Sequence, residues 1–366
     1  MHPYFHHLFD CLQGRGEAAT APRCSLSVVA GGLAWVYGLG SRLRRSLYAR
    51  EILLAKHLPA PVVSVGNLTV GGTGKTPVVA CLARLLQDRG QRVAILSRGY
   101  GGHSRNVACI SNGQNIYRKP PEVGEEPYWL ARTLPGVAVY TGACRYAAGL
   151  AAWQEFKPDL FLLDDGFQHF QLHRDLDLVL LDAAFPFGNG YLLPRGPLRE
   201  PLTALAAAQV LVLTRFDPER HQVQLSAIRA AFPDKPVLTA TIAPVSVTAY
   251  PGGQSEPLAA MRRRALMAFA GLARPEVFTA TLKELGVDLK DFQGFPDHHT
   301  YSPAELDRLA AAARGLGAEA LVTTGKDWAR LGERWDGELP LWVLEVEARL
   351  RDAEPVLKLL DRICAR

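Results

Sequence analysis

Val62-Val63-Ser64-Val65-Gly66-Asn67-Leu68-Thr69-Val70-Gly71-Gly72-Thr73-Gly74-Lys75-Thr76 is the stretch that decides how this chain folds. A short β-branched run, a glycine-rich loop and Gly74-Lys75-Thr76 spell a strand, a loop and a helix start, the unit that holds a nucleotide's phosphates. Phosphates are densely anionic, and a helix N-terminus presents unpaired N–H groups at the positive end of its dipole. Gly71, Gly72, Thr73 and Gly74 let the backbone close around phosphate oxygens, Lys75 brings a point charge, and the Thr76 hydroxyl suits Mg²⁺. Pro77 needs no N–H partner so early in a helix. The usual loop opens with glycine; Thr69 holds that position here, and Gly71 and Gly72 supply the backbone freedom.

Outward from this loop, short apolar runs recur at Val93–Leu96, Val137–Tyr140, Leu160–Leu163, Leu178–Leu181, Val210–Leu213 and Val237–Ala240. Helical patterns such as Val78–Arg89 and Arg145–Phe156 separate several of them. Buried strands alternating with amphipathic helices predict a mainly parallel sheet covered on both faces, with ligands at the carboxyl ends of the strands. Tyr250-Pro251-Gly252-Gly253-Gln254-Ser255-Glu256-Pro257 breaks the rhythm and reads as a turn or linker. Beyond it come a strand (Leu266–Ala270), a helix (Glu276–Leu285), a helix opened by the capping box Ser302-Pro303-Ala304-Glu305, and strands near Ala320–Thr323 and Leu341–Val346.

The fold class that follows is α/β: a P-loop-type, mainly parallel sheet with helices on both faces, a second smaller α/β domain, and an N-terminal helix. The boundaries read as a tail at 1–24, the helix at 25–50, the nucleotide-binding core at 51–244 and the smaller domain at 245–366.

Composition excludes several classes. With 48% hydrophobic and 21% charged residues the chain is an ordinary globular protein, and 366 residues suffice for two domains. A net charge of +5 permits anionic partners without indicating nucleic acid, and no RNA-binding signature or zinc-finger spacing occurs. No obligatory protein partner is evident. The six cysteines are scattered, with no Cys-x-x-Cys pair, which suits reduced thiols in the cytosol. Leu26–Leu39 is apolar but shorter than the roughly 20 residues of a spanning helix, and Arg42, Arg44, Arg45 and Arg50 follow it. Two readings fit: a membrane-surface segment with its arginines on anionic lipid, or a helix covering the core.

Asp164-Asp165 ends the run Leu160–Leu163, where a carboxylate next to a phosphate loop holds Mg²⁺ beside Thr76. Gln168 and His169 follow at once. Glu125-Glu126 reads as a helix start, since carboxylates favour the first turn, and Asp297-His298-His299 as either a plain loop or a proton-transfer pair. Arg98, Arg145, Arg195 and Arg199 are loop or helix-start arginines able to clamp an anion. Arg215-Phe216-Asp217 and Lys326-Asp327 are candidates for contact with a base.

Together these segments resemble the tetraacyldisaccharide 4′-kinases, the lipid A 4′-kinases of Gram-negative bacteria. The resemblance rests on Trp35–Leu39, Val65–Pro77, Ser97–Gly102, Asp164–His169, Gly188-Asn189-Gly190, Gly196–Glu200, Ala270–Pro275 and Asp297-His298. It implies ATP- and Mg²⁺-dependent transfer of the γ-phosphate to the 4′-hydroxyl of an acylated glucosamine disaccharide 1-phosphate, giving lipid IVA. It also implies work at the cytoplasmic face of the inner membrane, through a peripheral or singly anchored N-terminal helix on the lipid surface. Carried over by motif, Gly71, Gly72, Thr73, Gly74, Lys75, Thr76 and Gln168 bind ATP, and Thr76, Asp164 and Asp165 hold the metal. Glu125 and His298 form the dyad that deprotonates the sugar hydroxyl, with Lys75 and Asp165 as further catalytic groups. Asn67, Tyr100, Arg145, His169, Arg199 and Glu200 line the acceptor site. Two positions depart from the family pattern: Glu125 stands where Asp is usual, and Gly325 where Glu is usual. Alternatives are a membrane-docked NTPase switch without a lipid acceptor, and a lipid-binding protein without activity.

Overall fold

The continuous apolar runs of the first half do become strands buried on both faces. The computed structural model describes residues 24–364 apart from 103–105, 273, 298, 332–334 and 336. The chain divides into two compact units that interleave in sequence: 1–98, 144–242 and 348–366 form the first, and 99–143 with 243–347 the second. The contiguous reading at 244/245 puts 99–143 and 348–366 on the other side.

In the first unit, β1 (Val62–Asn67), β2 (Val93–Ser97), β5 (Leu160–Asp164), β6 (Leu176–Asp182), β7 (Val210–Thr214) and the beginning of β8 (Val237–Tyr250, of which the residues to Ile242 belong to this unit) pair in parallel, in the order β2-β5-β1-β6-β7-β8. Every residue of β1, β2, β5, β6 and β7 is buried, as a sheet with two covered faces requires. Parallel pairing brings the strand ends Asn67, Asp164, Asp182 and Thr214 to one edge. Helix α1 (Cys24–Ala49) precedes this sheet; α2 (Lys75–Gln87) follows the phosphate loop and buries Val78, Val79, Leu82, Ala83 and Leu86.

The second unit holds α3 (Glu125–Thr133), with β3 (Ala108–Asn112) antiparallel to β4 (Ala138–Thr141). Its larger part is a parallel set in the order β11 (Asp288–Gly294), β10 (Ala265–Ala270), β12 (Ala320–Thr324), β13 (Leu341–Arg351). Alternation along β10 explains the two cores: Met267 and Phe269 pack with Tyr301, Leu309 and Trp328, whereas Leu266, Ala268 and Ala270 pack with Phe278 and Leu282. Tyr250–Pro257 is no linker. It makes the turn and second strand of a hairpin, β9 (Gln254–Pro257) against Ser246–Ala249, and Tyr250 stacks on Trp328 at 3.9 Å.

Back in the first unit, α4 (Arg145–Glu155) buries its first residue, Arg145. In the second, α6 (Pro275–Glu284; α5 is Gln222–Ala231, in the first unit) covers β10. The capping box of α7 (Pro303–Gly315) forms as read: Ser302 Oγ accepts from the Glu305 N–H, and the Glu305 carboxylate accepts from the Ser302 N–H. Helix α8 (Gly325–Arg330) follows β12 directly, capped by the Thr324 hydroxyl.

Candidate active site

The phosphate loop is held open by its surroundings. Gly74 caps α2 in the left-handed region (φ 79°), and a Cβ there would lie 2.3 Å from Ile242 Cδ1, so only glycine fits. Two groups from the tip of β7 pull loop carbonyls outward. The Thr214 hydroxyl donates to Thr73 O at 2.8 Å, and Arg215 donates to Gly72 O at 2.8 Å and to Asp182 at 2.9 Å. Arg215 therefore braces the loop rather than reading a base, and Asp217 is occupied by its own turn, accepting from the Glu219 N–H. On the other flank Val70 N–H donates to Pro197 O and Arg199 N–H to Leu68 O.

Four predicted residues meet at the start of α2. Lys75 Nζ donates to Asn67 Oδ1 at 3.2 Å and stands 3.7 Å from Asp165. Arg199 grips Asp165 with two nitrogens at 2.8 and 3.2 Å and also donates to Asn67 Oδ1 at 3.2 Å. Burial works against the Asp165 charge, but Lys75, Arg199 and Arg145 outweigh it and hold the carboxyl below its usual range. Gln168 Nε2 donates to Asn67 O at 3.0 Å. Asp164, at the end of β5, accepts from the Ser97 hydroxyl at 3.2 Å and is 3% exposed.

The acceptor-side candidates lie in a cationic region. Burial lowers the Arg145 guanidinium to about 10; Arg98 adds to that, while Asp165 and Asp164 oppose it. His169 is pushed down to about 4, first by burial and then by Arg145, Arg174, Arg44 and Arg98. It is a neutral imidazole among arginines, an arrangement suited to an anion. Glu200 is buried, and Arg45 of α1 donates to its carboxylate at 2.7 Å. The same guanidinium lies over the rings of Phe167 (4.8 Å) and Phe170 (4.9 Å), so this arginine packs against the protein. Tyr37 of α1 donates to Arg199 O at 2.9 Å.

Buried polar atoms here, among them Thr73 Oγ1, Gln168 Oε1 and Glu200 Oε1, have no hydrogen-bond partner, as on a surface built to receive a polar group. The Thr76 hydroxyl and the Asp164 carboxylate are hard oxygen donors of the kind Mg²⁺ takes, whereas Asp165 is engaged by two cations. Among the described residues no group of three or more His, Cys, Asp or Glu could hold a metal. A cation with few protein ligands, completed by substrate phosphates, is the Mg²⁺ pattern.

The second unit carries a separate ionic cluster. Glu125 opens α3, 7% exposed, and Gly101 (φ 86°) comes so close that a Cβ on it would lie 3.1 Å from Glu125 Oε2. The Glu125 carboxylate accepts from Arg330 at 3.0 Å. The neighbouring Glu126 pairs with Lys326, one helical turn before Arg330 on α8. Burial disfavours the Lys326 charge, yet Glu126 lifts its pKa above the ordinary lysine value. Asp327 is wholly buried under the Tyr301 hydroxyl (2.9 Å), the Gly271 N–H (3.1 Å) and Arg330 (2.9 Å), so it contacts no base. His298 lies outside the described residues, and Tyr100 is 69% exposed. At Gly325 a Cβ would sit 2.8 Å from Trp129 Nε1, so the indole fills the space next to it.

Sequence reading missed Arg330, named Arg215 only as a candidate for contact with a base, and placed Arg45 only among the arginines following the apolar N-terminal stretch. Arg330 had a signal, the i, i+4 spacing from Lys326 opposite two adjacent glutamates.

A family model described as tetraacyldisaccharide-1-P 4′-kinase matches residues 27–365. The tetraacyldisaccharide 4′-kinase of Geobacter metallireducens is 44% identical over 328 residues, covering 89% of this chain and 95% of that one. Its namesake from Geobacter sulfurreducens is 42% identical over 349 residues, covering 95% and 96%. A crystal structure of LpxK from Aquifex aeolicus in complex with ATP superposes with a TM-score of 0.77 at 35% identity, covering 92% of this chain and 99% of that one.

Proposed function

The chain belongs to the tetraacyldisaccharide 4′-kinase family, and from that premise we propose that it transfers the γ-phosphate of ATP to the 4′-hydroxyl of tetraacyldisaccharide 1-phosphate, yielding lipid IVA. The observation that carries the reading is the convergence of Lys75, Asn67, Asp165 and Arg199 beside the open N-terminus of α2.

Phosphoryl transfer asks a protein for alignment and charge neutralisation more than for covalent chemistry. The amides of Gly71 to Thr76 and the Lys75 ammonium receive the triphosphate. Entry of a phosphate draws Lys75 from its long 3.7 Å contact with Asp165, a small loss because that pair is partly exposed. Thr76 and Asp164 are the residues to hold Mg²⁺, with Asp165 beside them; the ion, when bound, neutralises charge on the β- and γ-phosphates. Arg145 and Arg199 attract the anionic acceptor, with Asn67, His169, Glu200 and Tyr100 lining its site. Glu125, with His298, takes the proton of the attacking 4′-hydroxyl.

No helix among the described residues is long and apolar enough to cross a membrane. Helix α1 instead packs a narrow stripe of Gly31, Ala34 and Gly38 inward and leaves Val28, Val29, Leu33, Trp35, Val36, Leu39 and Leu43 more than half exposed. That apolar side is what we place on the cytoplasmic face of the inner membrane, where the acyl chains of the acceptor reside.

The test uses purified protein, γ-labelled ATP, Mg²⁺ and the tetraacyl disaccharide 1-phosphate in detergent, with products separated by thin-layer chromatography. Label in a bis-phosphorylated lipid, abolished by Lys75→Ala, is the expected result. Label released only as free phosphate, equally fast without lipid, would reject the kinase in favour of an NTPase switch.

A further inference from the structure

We propose that Arg330 is a positioning residue of the transfer reaction, fixing the Glu125 carboxylate and the Asp297 loop through one buried guanidinium. The inference rests on Glu125 handling the proton of the incoming hydroxyl, and adds the residue that aims it.

Arg330 is the last residue of α8, and its side chain is 5% exposed. One terminal nitrogen, NH1, donates to Gly271 O at 2.7 Å and Asp327 Oδ1 at 2.9 Å. These contacts anchor the base of the guanidinium to β12–α8 and to the turn after β10. The other nitrogen, NH2, reaches away from that anchor to Glu125 Oε1 at 3.0 Å and Asp297 Oδ1 at 3.5 Å. Asp327 alone would neutralise the arginine. The second arm joins two carboxylates from segments far apart in sequence, one opening α3 and the other directly preceding His298. A planar guanidinium does this because its two nitrogens diverge at a set angle; an ammonium presents one centre and cannot serve both sides.

The rest of the cluster holds the guanidinium itself in place. Tyr301 OH and Thr324 Oγ1 donate to Asp327 at 2.9 and 2.7 Å, and Lys326 pairs with Glu126, so α8 faces the start of α3 with two cations one turn apart. Arg330 is thereby pinned on one side and free to set the position of Glu125 on the other. A transfer geometry sensitive to about 1 Å needs the end of the Glu125 side chain fixed.

The experiment compares the full chain with Glu125→Gln, Arg330→Lys, Arg330→Gln and the double variant Glu125→Gln/Arg330→Lys. It measures kcat and KM for ATP and for the lipid acceptor, with a thermal melt of each variant. Arg330→Lys is expected to lower kcat at least 10-fold while KM for ATP stays within threefold, and the double variant is expected to be no slower than Glu125→Gln alone. Arg330→Gln removes the cation beside fully buried Asp327 and can fail to fold, so Arg330→Lys is the deciding variant. A slow Glu125→Gln together with a normal kcat for Arg330→Lys overturns the proposal. So does a double variant whose loss is the product of the two single losses, since Arg330 would then act independently of Glu125. A normal kcat for Glu125→Gln instead removes the assignment of Glu125 itself.

Discussion

Replacing Leu33 and Leu39 of α1 by glutamate tests the proposed lipid contact separately from the chemistry. Both side chains are about half exposed, at 55% and 52%, and neither belongs to the packed stripe of Gly31, Ala34 and Gly38. The same side carries Val28, Val29, Trp35, Val36 and Leu43, so seven large apolar groups face outward together. Complete burial of a valine or leucine side chain is worth about 1.5–3 kcal/mol, and the exposed half of each leucine therefore contributes about 1 kcal/mol on entering lipid. Losing two of them, and setting two carboxylates at an apolar surface, lowers binding by about 3 kcal/mol, roughly 100-fold in the partition coefficient. Co-flotation with anionic vesicles measures this, and Trp35, 67% exposed, reports insertion through quenching by brominated acyl chains. Trp129, Trp328 and Trp335 are buried and contribute little to that signal. The phosphate loop is untouched, so ATP affinity should stay at the wild-type value. A double variant that partitions within threefold of wild type would refute the assignment of this side of α1 to lipid.

Three further outcomes follow from single residues. Gly74→Ala combines a left-handed residue, about 1–2 kcal/mol, with a Cβ 2.3 Å from Ile242 Cδ1; it should lower Tm and weaken ATP binding more than 10-fold, with Ile242→Ala restoring only part of the loss. Asp327→Asn leaves a nearly buried Arg330 short of its nearest counter-charge; urea titration should show a loss of about 3 kcal/mol, and a loss under 1 kcal/mol would mean the cluster is electrostatically unimportant. His169 has a folded pKa, about 4, below its ordinary value of 6.5, so the unfolded chain takes up its proton first. Its contribution is complete above about pH 6.5 and is lost as the pH falls toward 4, by at most about 3 kcal/mol; His169→Gln should flatten that part of the stability profile.

How far these sites could be read from sequence depends on whether the signal is local. The phosphate loop, the six parallel strands of the first unit and the capping box at Ser302 are local. Each is a short run whose residue types meet one backbone geometry, and each stands where it was read. The strand β11 is different: Asp288-Leu289-Lys290-Asp291-Phe292-Gln293-Gly294 is polar and mostly exposed, so no apolar run announces it and only pairing with β10 makes it a strand. The interleaving of the two units is likewise non-local, since nothing in the composition of 99–143 separates it from the residues before it.

The same distinction governs the charged groups. Lys75, Asp164 and Asp165 stood out as candidates because phosphate binding calls for a lysine at the start of the helix after the loop and for carboxylates at the end of a neighbouring strand. Arg45, Arg215 and Arg330 carry no such demand. Each is an ordinary helix or loop arginine whose role comes from what the fold sets opposite it: Glu200 with Phe167, Gly72 O with Asp182, and Asp327 with Glu125. All three stand behind a residue that faces substrate in the proposed reaction, and none of the three touches substrate in it. An arginine suits that task because one rigid, permanently charged fork can answer a carbonyl and a carboxylate together. Motifs therefore point to the groups that meet the phosphate. The residues that aim those groups become visible only when distant segments have been brought together.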